Sequence, residues 1–148
     1  MKKIEEIITA NFKDEHHKAL INIRYTSNYI GVYYNHQLEV FDLTLAQFNI
    51  LRILRGANKR LSIKTVKNRM VEKSPNTTRL VDKLIAKDFV KRSRSEKDRR
   101  IVNIEITALG LETLAKLDVQ FEDNYFRQNL SSEEVKTLNH LLDKFRKE

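Results

Sequence analysis

Cysteine and tryptophan are absent from the 148 residues, and the chain has only one proline and three glycines. Without cysteine, the chain cannot form a disulfide, a thiolate metal site or a cysteine-based oxidant sensor. Proline and glycine interrupt helices, so their scarcity favours long helices joined by short connections. With 41% hydrophobic and 32% charged residues, the composition is typical of a globular protein.

Long hydrophobic segments are lacking as well. No run of about 18 apolar residues occurs, so no membrane-spanning helix is predicted. The N-terminus turns acidic at Glu5 and Glu6, and the apolar core of a signal peptide is missing. We therefore expect a single domain over residues 1–148 that works in the cytoplasm.

Positive charge is concentrated in one segment. Residues 59–100 contain 15 Lys and Arg against 5 Asp and Glu, whereas the other 106 residues contain 13 against 15. A basic segment on a neutral to acidic body is typical of a surface that meets a polyanion. The alternative interpretation is a solvated surface that only aids solubility.

The N-terminal part of the chain is predicted to be one helix from Ile4 to about Val40, with a weak point near residues 11–14, because its apolar residues recur at helical spacings. A helix of this length cannot bury all its apolar surface against a small lobe. Part of that surface is therefore predicted to meet another chain.

Capping signals divide the rest of the chain into helices. Thr44 with Gln47 three residues later has the spacing of a capping box, and Ser62 is the next candidate cap. Thr107 is predicted to cap a helix that reaches about residue 125. Ser131, with an acidic residue three positions later, is predicted to cap a last amphipathic helix.

The helix predicted from Asn76 to Lys87 follows Ser74 and Pro75, which have the favoured order of a cap residue and a proline at the first helical position. Its opening residues are small, polar or basic, which suits base edges and phosphates. After it, residues 89–94 and 101–106 are predicted to be two strands joined by a charged tip. A helix-turn-helix followed by such a hairpin is a winged helix, and duplex DNA is the expected partner.

The order of these parts, together with three local motifs, resembles the MarR family of bacterial winged-helix transcription regulators over nearly the full length. The motifs are L-T-L-A-Q-F at residues 43–48, the recognition helix S-P-N-T-T-R-L-V-D-K-L at 74–84, and the wing pattern D-R-R at 98–100 followed by Ile106-Thr107. Each motif is weak by itself, but the three in order are fairly specific.

The resemblance implies a mainly α fold with a small β-hairpin wing. It implies a winged helix-turn-helix DNA-binding lobe at 43–106 and helical dimerisation regions at 1–40 and 107–148. It further implies a sequence-specific homodimer on a pseudo-palindromic operator, with recognition helices in successive major grooves and wings in the minor grooves. We expect a repressor more than an activator.

Carried over by position, Arg100 would enter the minor groove, Asp98 would orient its guanidinium, and Arg99 would meet a phosphate. Asn76 and Arg79 are expected to bond to base edges. The full set of predicted DNA-binding residues is Lys64, Ser74, Asn76, Thr77, Thr78, Arg79, Lys83, Arg94, Lys97, Asp98, Arg99 and Arg100. The two threonine methyl groups are expected to meet thymine.

The sequence departs from the family pattern directly after the recognition helix. The family commonly has glycine there, whereas this chain has Asp88. Aspartate tolerates the left-handed conformation better than most residues, so we expect the turn to survive.

A tyrosine stripe raises the possibility of a ligand site. Tyr25, Tyr29 and Tyr33 follow one another at i, i+4 and i+8 on the first long helix, and Phe48 is on the next. In the resembled family, small aromatic effectors bind where these helices meet the DNA-binding lobe. The four residues are the predicted effector pocket; the alternative is that the stripe is core or dimer interface.

No catalytic motif, cofactor motif or metal-ligand spacing occurs, so neither an enzyme nor a cofactor is expected. The four histidines are scattered and are interpreted as surface or interface residues. Two rival functions stay open at this point. One is a low-specificity architectural DNA-binding protein, and the other is a helical protein-interaction adaptor that uses its basic lobe.

Overall fold

A computed structural model describes residues 2–72, 75–94, 102–122 and 128–146, without the side chains of Arg94 and Glu122. The fold is mainly α-helical with one small antiparallel sheet, as predicted. Its elements in chain order are α1 (Ile4–Ile7), α2 (Glu15–Leu38), a 3₁₀ helix (Glu39–Phe41), α3 (Leu45–Ala57), β1 (Leu61–Ser62), α4 (Ile63–Arg69), α5 (Thr77–Ala86), β2 (Val90–Arg94), β3 (Val102–Ile106), α6 (Ala108–Glu122) and α7 (Ser132–Phe145). None of the described helices is long and apolar enough to cross a membrane.

The helix predicted from Ile4 to about Val40 is divided into α1 and α2, and the predicted weak point near residues 11–14 lies in the non-helical segment between them. Ile8 is extended, with φ −115° and ψ 117°. Asp14 is extended too, and its carboxylate accepts a hydrogen bond of 2.8 Å from the His17 backbone N–H. A residue that caps a new helix in this way has non-helical dihedrals, so it separates α2 from the helix before it.

The predicted helix caps are confirmed at four sites. Thr44 and Gln47 form a reciprocal capping box, Ser62 accepts from the Thr65 N–H, and Ser131 forms a second capping box. The Thr107 hydroxyl accepts a bond of 3.0 Å from the Gly110 N–H at the start of α6. Each cap satisfies a backbone donor that the first helical turn leaves without a partner.

The start of α5 differs from the prediction. The helix begins at Thr77 instead of Asn76, and Pro75 lies in a turn before it. The predicted cap Ser74 lies outside the described residues. The end of the helix agrees with expectation, since Asp88 adopts φ 58° and thus the left-handed conformation that the turn requires.

The sheet has a strand that the sequence did not indicate. The two predicted wing strands pair antiparallel, with Val90 opposite Ile106. The two-residue strand β1 pairs with the other edge of β3, with Leu61 opposite Ile104, which gives the order β1-β3-β2. Two residues are too few to show an alternating pattern, so only tertiary pairing reveals this strand.

One buried cluster holds the lobe together. It joins α3 to α5, to the central strand and to α6 through fully buried side chains, among them Leu51, Leu54, Val81, Leu84 and Ile104. The helix α5 is therefore fixed on the scaffold by its own buried side.

The wing strands and α6 meet at a tight corner. The Thr107 hydroxyl donates to the Asp88 carbonyl at 2.7 Å, and the Thr107 N–H donates to the Phe89 carbonyl at 3.0 Å. A Cβ at Gly110 would lie 2.5 Å from that Phe89 carbonyl oxygen, so only glycine fits without a backbone shift. The corner fixes the base of the wing relative to α6.

Candidate nucleic-acid interface

The helix α5 has two distinct sides. Val81 and Leu84 are fully buried, and the residues at i, i+3 and i+4 spacing on the opposite side are exposed. The exposed residues are Thr78, Arg79, Asp82, Lys83 and Ala86. A helix that is anchored on one side and polar on the other can lie in a groove without losing its packing.

Thr77 is a correction to the predicted set of base contacts. Its side chain is only 2% exposed, and its hydroxyl donates to the Met70 sulfur at 3.8 Å. The buried methyl group therefore does not face a thymine. Thr77 instead connects the start of α5 to the end of α4, because position 77 shares the inward side with Val81 and Leu84.

The other residues of the predicted set whose side chains are described are exposed. Asn76 directly precedes α5, Thr78, Arg79 and Lys83 lie on its outer side, and Lys64 lies in the first turn of α4. In the described part of the chain, no salt bridge engages the cations Lys64, Arg79 or Lys83. Their charges are thus available to an external anion.

The tip of the wing is not described. Lys97, Asp98, Arg99 and Arg100 lie outside the described residues, as does Ser74, so their predicted roles stay predictions. The backbone of Arg94 pairs with Val102 at the last rung of the hairpin. The hairpin that carries the predicted wing arginine is therefore present up to its tip.

Some cations of the basic segment have carboxylate partners. The Arg92 guanidinium lies 2.6 Å from the Asp82 carboxylate, and Glu105 lies 3.0 Å from Arg60 and 3.7 Å from Lys91. The pairing of Asp82 with Arg92 was not predicted, because the two residues come from a helix and a strand. Sequence spacing reports pairs within one helix but not between two elements.

A lysine at the end of α5 ties the DNA-binding lobe to the end of α2. The Lys87 ammonium lies 2.7 Å from the Asp42 carboxylate and also donates to the Asp42 carbonyl oxygen. Asp42 has φ 50° and forms the turn between the 3₁₀ helix and α3. A second ion pair, Arg55 with Asp118 at 2.5 Å, joins α3 to α6.

An aromatic cleft of about 570 Å³ lies between α2, α3 and α6. Its aromatic lining is Tyr34, Phe48 and Phe121, with the Phe121 ring 5.0 Å from that of Tyr34 and 5.4 Å from that of Phe48. Arg52 lies over the Phe48 ring and also lines the cleft.

Only Phe48 of the four residues of the predicted effector pocket lines this cleft. Tyr25 stacks on Tyr29 and lines a separate cleft beside α1, and Tyr33 packs edge-to-face on Tyr34. The spacing of four residues places Tyr25, Tyr29 and Tyr33 on one side of α2. The cleft lies along the adjacent side of the same helix, which carries Tyr34. Tyr34 and Phe121 were missed, since only tertiary packing brings them to Phe48.

Metal chemistry finds no support among the described residues, which contain no group of three or more possible ligands. His16, His17, His36 and His140 are all exposed. This agrees with their interpretation as surface or interface residues.

A three-stranded sheet, a basic recognition helix and a hairpin after it define a winged-helix DNA-binding protein. The MarR family model matches residues 43–102, which include the recognition helix and most of the wing. The transcriptional regulator SarZ of Staphylococcus aureus strain USA300 is 31% identical over 115 residues, which cover 76% of this chain and 75% of that protein. The SarZ regulator of Staphylococcus haemolyticus is 29% identical over 121 residues, with coverages of 79% and 82%. The chain belongs to the MarR family of transcriptional regulators.

Solved structures agree with this assignment. A cysteine-to-serine mutant of Escherichia coli MarR, determined in complex with operator DNA, superposes with a TM-score of 0.75 at 26% identity, covering 93% of this chain and 99% of that one. A MarR-like regulator from Bacillus cereus has a TM-score of 0.81 at 22% identity, with coverages of 90% and 96%, and shares the fold. The predicted family, fold class and DNA-binding regulatory function are confirmed, and the family is one of regulators and not of enzymes.

Proposed function

We propose that this regulator is a cytoplasmic homodimeric repressor that blocks promoter DNA by binding a pseudo-palindromic operator. The observation that carries the proposal is the exposed side of α5, where Arg79 and Lys83 form no salt bridge with any described residue while the opposite side is buried in the lobe. Arginine at the start of a recognition helix can bond in bidentate fashion to guanine in the major groove. The predicted wing arginine, Arg100, adds a contact that is sensitive to minor-groove width.

The exposed apolar surface of the terminal helices supports a homodimer. The helix α7 buries none of its residues within the chain, although Val135, Leu138, Leu141 and Phe145 are between 41% and 54% exposed at spacings of three or four residues. An apolar stripe on an otherwise polar helix normally covers another apolar surface. In a two-fold dimer, the recognition helices would meet half-sites about one DNA turn apart.

Replacing a recognition-helix or wing arginine should weaken operator binding. Arg79→Ala and Arg100→Ala are each expected to cost about 1–3 kcal/mol in affinity, because each removes a charged contact to DNA. The measurement is fluorescence anisotropy with a duplex from the region upstream of the protein's own gene, at moderate salt.

The matched control is Lys116→Ala, which removes an equally positive side chain from α6, where Lys116 pairs with Glu112. It should bind as the wild type does. If Arg79→Ala or Arg100→Ala also binds as tightly as the wild type, the corresponding element takes no part in recognition. Competition with random duplex separates an operator-specific protein from an architectural one, and absence of any duplex binding would favour the adaptor.

The aromatic cleft supports control by a small aromatic acid. Tyr34, Phe48 and Phe121 offer flat apolar walls, and Arg52 offers a cation for a carboxylate. The cleft touches helices of both the DNA-binding lobe and the predicted dimerisation region. A ligand that binds better when the recognition helices are wrongly spaced would therefore release the operator.

Millimolar benzoate is accordingly expected to weaken operator binding roughly 5- to 150-fold, the usual range of allosteric coupling, while acetate at the same concentration leaves it unchanged. The readout is an operator titration by anisotropy. A benzoate effect that survives in Arg52→Gln would contradict the proposed role of the arginine. No effect of either acid on the wild type would remove aromatic acids from the proposal.

A further inference from the structure

Asp82 is the only acidic residue in α5, and it lies on the exposed side of the helix, four residues after Thr78 and three after Arg79. A carboxylate on the side that faces DNA repels the phosphates and opposes the binding that the neighbouring cations favour. The proposed function gives this residue no role. Its position therefore requires a separate explanation.

The contact that Asp82 makes is with Arg92 of β2. The Arg92 Nη2 donates to the Asp82 Oδ1 at 2.6 Å, a charge-assisted hydrogen bond between the recognition helix and the wing. The two side chains are 43% and 54% exposed, so the pair lies at the surface. Exposed ion pairs add little to stability, and folding alone thus gives little reason to keep an acid at this position.

An arginine at this place that lacked a partner would be a strong phosphate ligand. Arg92 lies on the strand next to the recognition helix, in the segment that carries the net positive charge. A phosphate contact adds affinity for every duplex and carries no sequence information. A regulator that must distinguish its operator from the rest of the genome gains from losing such a contact.

We propose that Asp82 is a specificity-determining residue that holds Arg92 out of contact with DNA phosphates. The inference rests on the proposed DNA-binding function and deepens it. In each subunit, Asp82 removes one sequence-independent contact while Arg79 and Lys83 remain available. The ratio of operator affinity to random-duplex affinity is therefore higher than it would be if Arg92 also contacted phosphates.

The experiment measures random-duplex affinity of the full-length protein against salt concentration, for the wild type, Asp82→Asn, Arg92→Gln and the double variant. In Asp82→Asn, Arg92 is released in both subunits of the dimer. The plot of log affinity against log salt concentration should then be steeper than that of the wild type by about 1.8, because each additional phosphate contact adds about 0.9 to the slope. Between 50 and 200 mM salt, the affinity of Asp82→Asn should then fall about tenfold further than that of the wild type. The double variant and Arg92→Gln should both have the wild-type slope.

Several outcomes overturn the inference. An unchanged slope in Asp82→Asn shows that Arg92 is not released onto phosphates, and a shallower slope in Arg92→Gln shows that Arg92 already contacts DNA in the wild type. A steep slope that persists in the double variant assigns the effect to the lost negative charge alone. A loss of operator affinity in Asp82→Asn confined to one base position would make Asp82 a base reader.

Asp82→Glu keeps the charge and should restore the wild-type slope, which keeps the test valid if the asparagine variant folds poorly. A steep slope in the glutamate variant would overturn the inference. If the wild type binds no duplex at all, the proposed function fails, whatever the variants do.

Discussion

Operator affinity is expected to fall about 10³- to 10⁵-fold when monovalent salt rises from 50 to 200 mM, if a dimer neutralises roughly 6–10 phosphates. This follows from the cations of the basic segment that are exposed and have no carboxylate partner among the described residues. They are Lys59, Lys64, Lys67, Arg69, Arg79 and Lys83. Three to five of them per subunit suffice for that number of contacts.

The physical cause is the release of counterions from DNA when protein cations replace them. Arg60, Lys91 and Arg92 have carboxylate neighbours and should contribute less to the slope. Anisotropy titrations at four salt concentrations measure it, and a log–log plot should be linear. A nearly flat plot would contradict binding through the phosphate backbone, and it would favour a protein partner recognised by apolar contacts.

Local features of the fold were predictable because the two partners of each hydrogen bond lie within a few residues of one another in the sequence. Thr44 with Gln47 and Ser131 with Glu134 close their capping boxes over three residues. Asp88 adopts the left-handed turn for the same local reason, since its short polar side chain tolerates a positive φ. At Asp14, a cap inside an otherwise continuous helical pattern divides α1 from α2, at the weak point predicted near residues 11–14.

The features that tertiary packing decides were not predictable in the same way. The burial of Thr77 depends on Met70 and on the rotation of α5 against the core, and a polar residue at a helix start gives no sign of it. The pairing of Asp82 with Arg92 joins two elements across a turn. At the candidate site, helical spacing predicted which side of α5 faces outward. It did not predict the salt bridges, which determine which cations are available to DNA.

Two ion pairs and the aromatic cleft lie at the joint between the helical scaffold and the lobe. Arg55 of α3 pairs with Asp118 of α6, and Lys87 at the end of α5 pairs with Asp42 after the 3₁₀ helix that follows α2. Because Asp118 also lines the aromatic cleft, a ligand there would lie beside one of these links. Since the chain has no cysteine, control of this joint by a ligand is compatible with the composition, whereas control by thiol oxidation is not.

Two lysines on the apolar stripe of α7 are expected to abolish the proposed homodimer. The double variant Leu138→Lys/Leu141→Lys would bring four charges into a symmetric interface, and an unpaired buried charge costs several kcal/mol. The dimerisation constant should therefore weaken by more than about 10³-fold, and operator affinity should fall with it because each subunit holds only one recognition helix. Sedimentation at micromolar concentration measures the first effect, and anisotropy measures the second.

The matched control is His140→Lys, which adds a lysine to the same helix between the two substituted positions but on its polar side. It should sediment at twice the 17.5-kDa mass of the chain, as the wild type should. The circular dichroism of both variants at low temperature shows whether the helices remain. A double variant that still sediments as a dimer would place the interface elsewhere, and the exposed apolar stripe of α7 would then need another occupant. A wild type that sediments at 17.5 kDa and still binds the operator would contradict the two-fold arrangement of recognition helices itself.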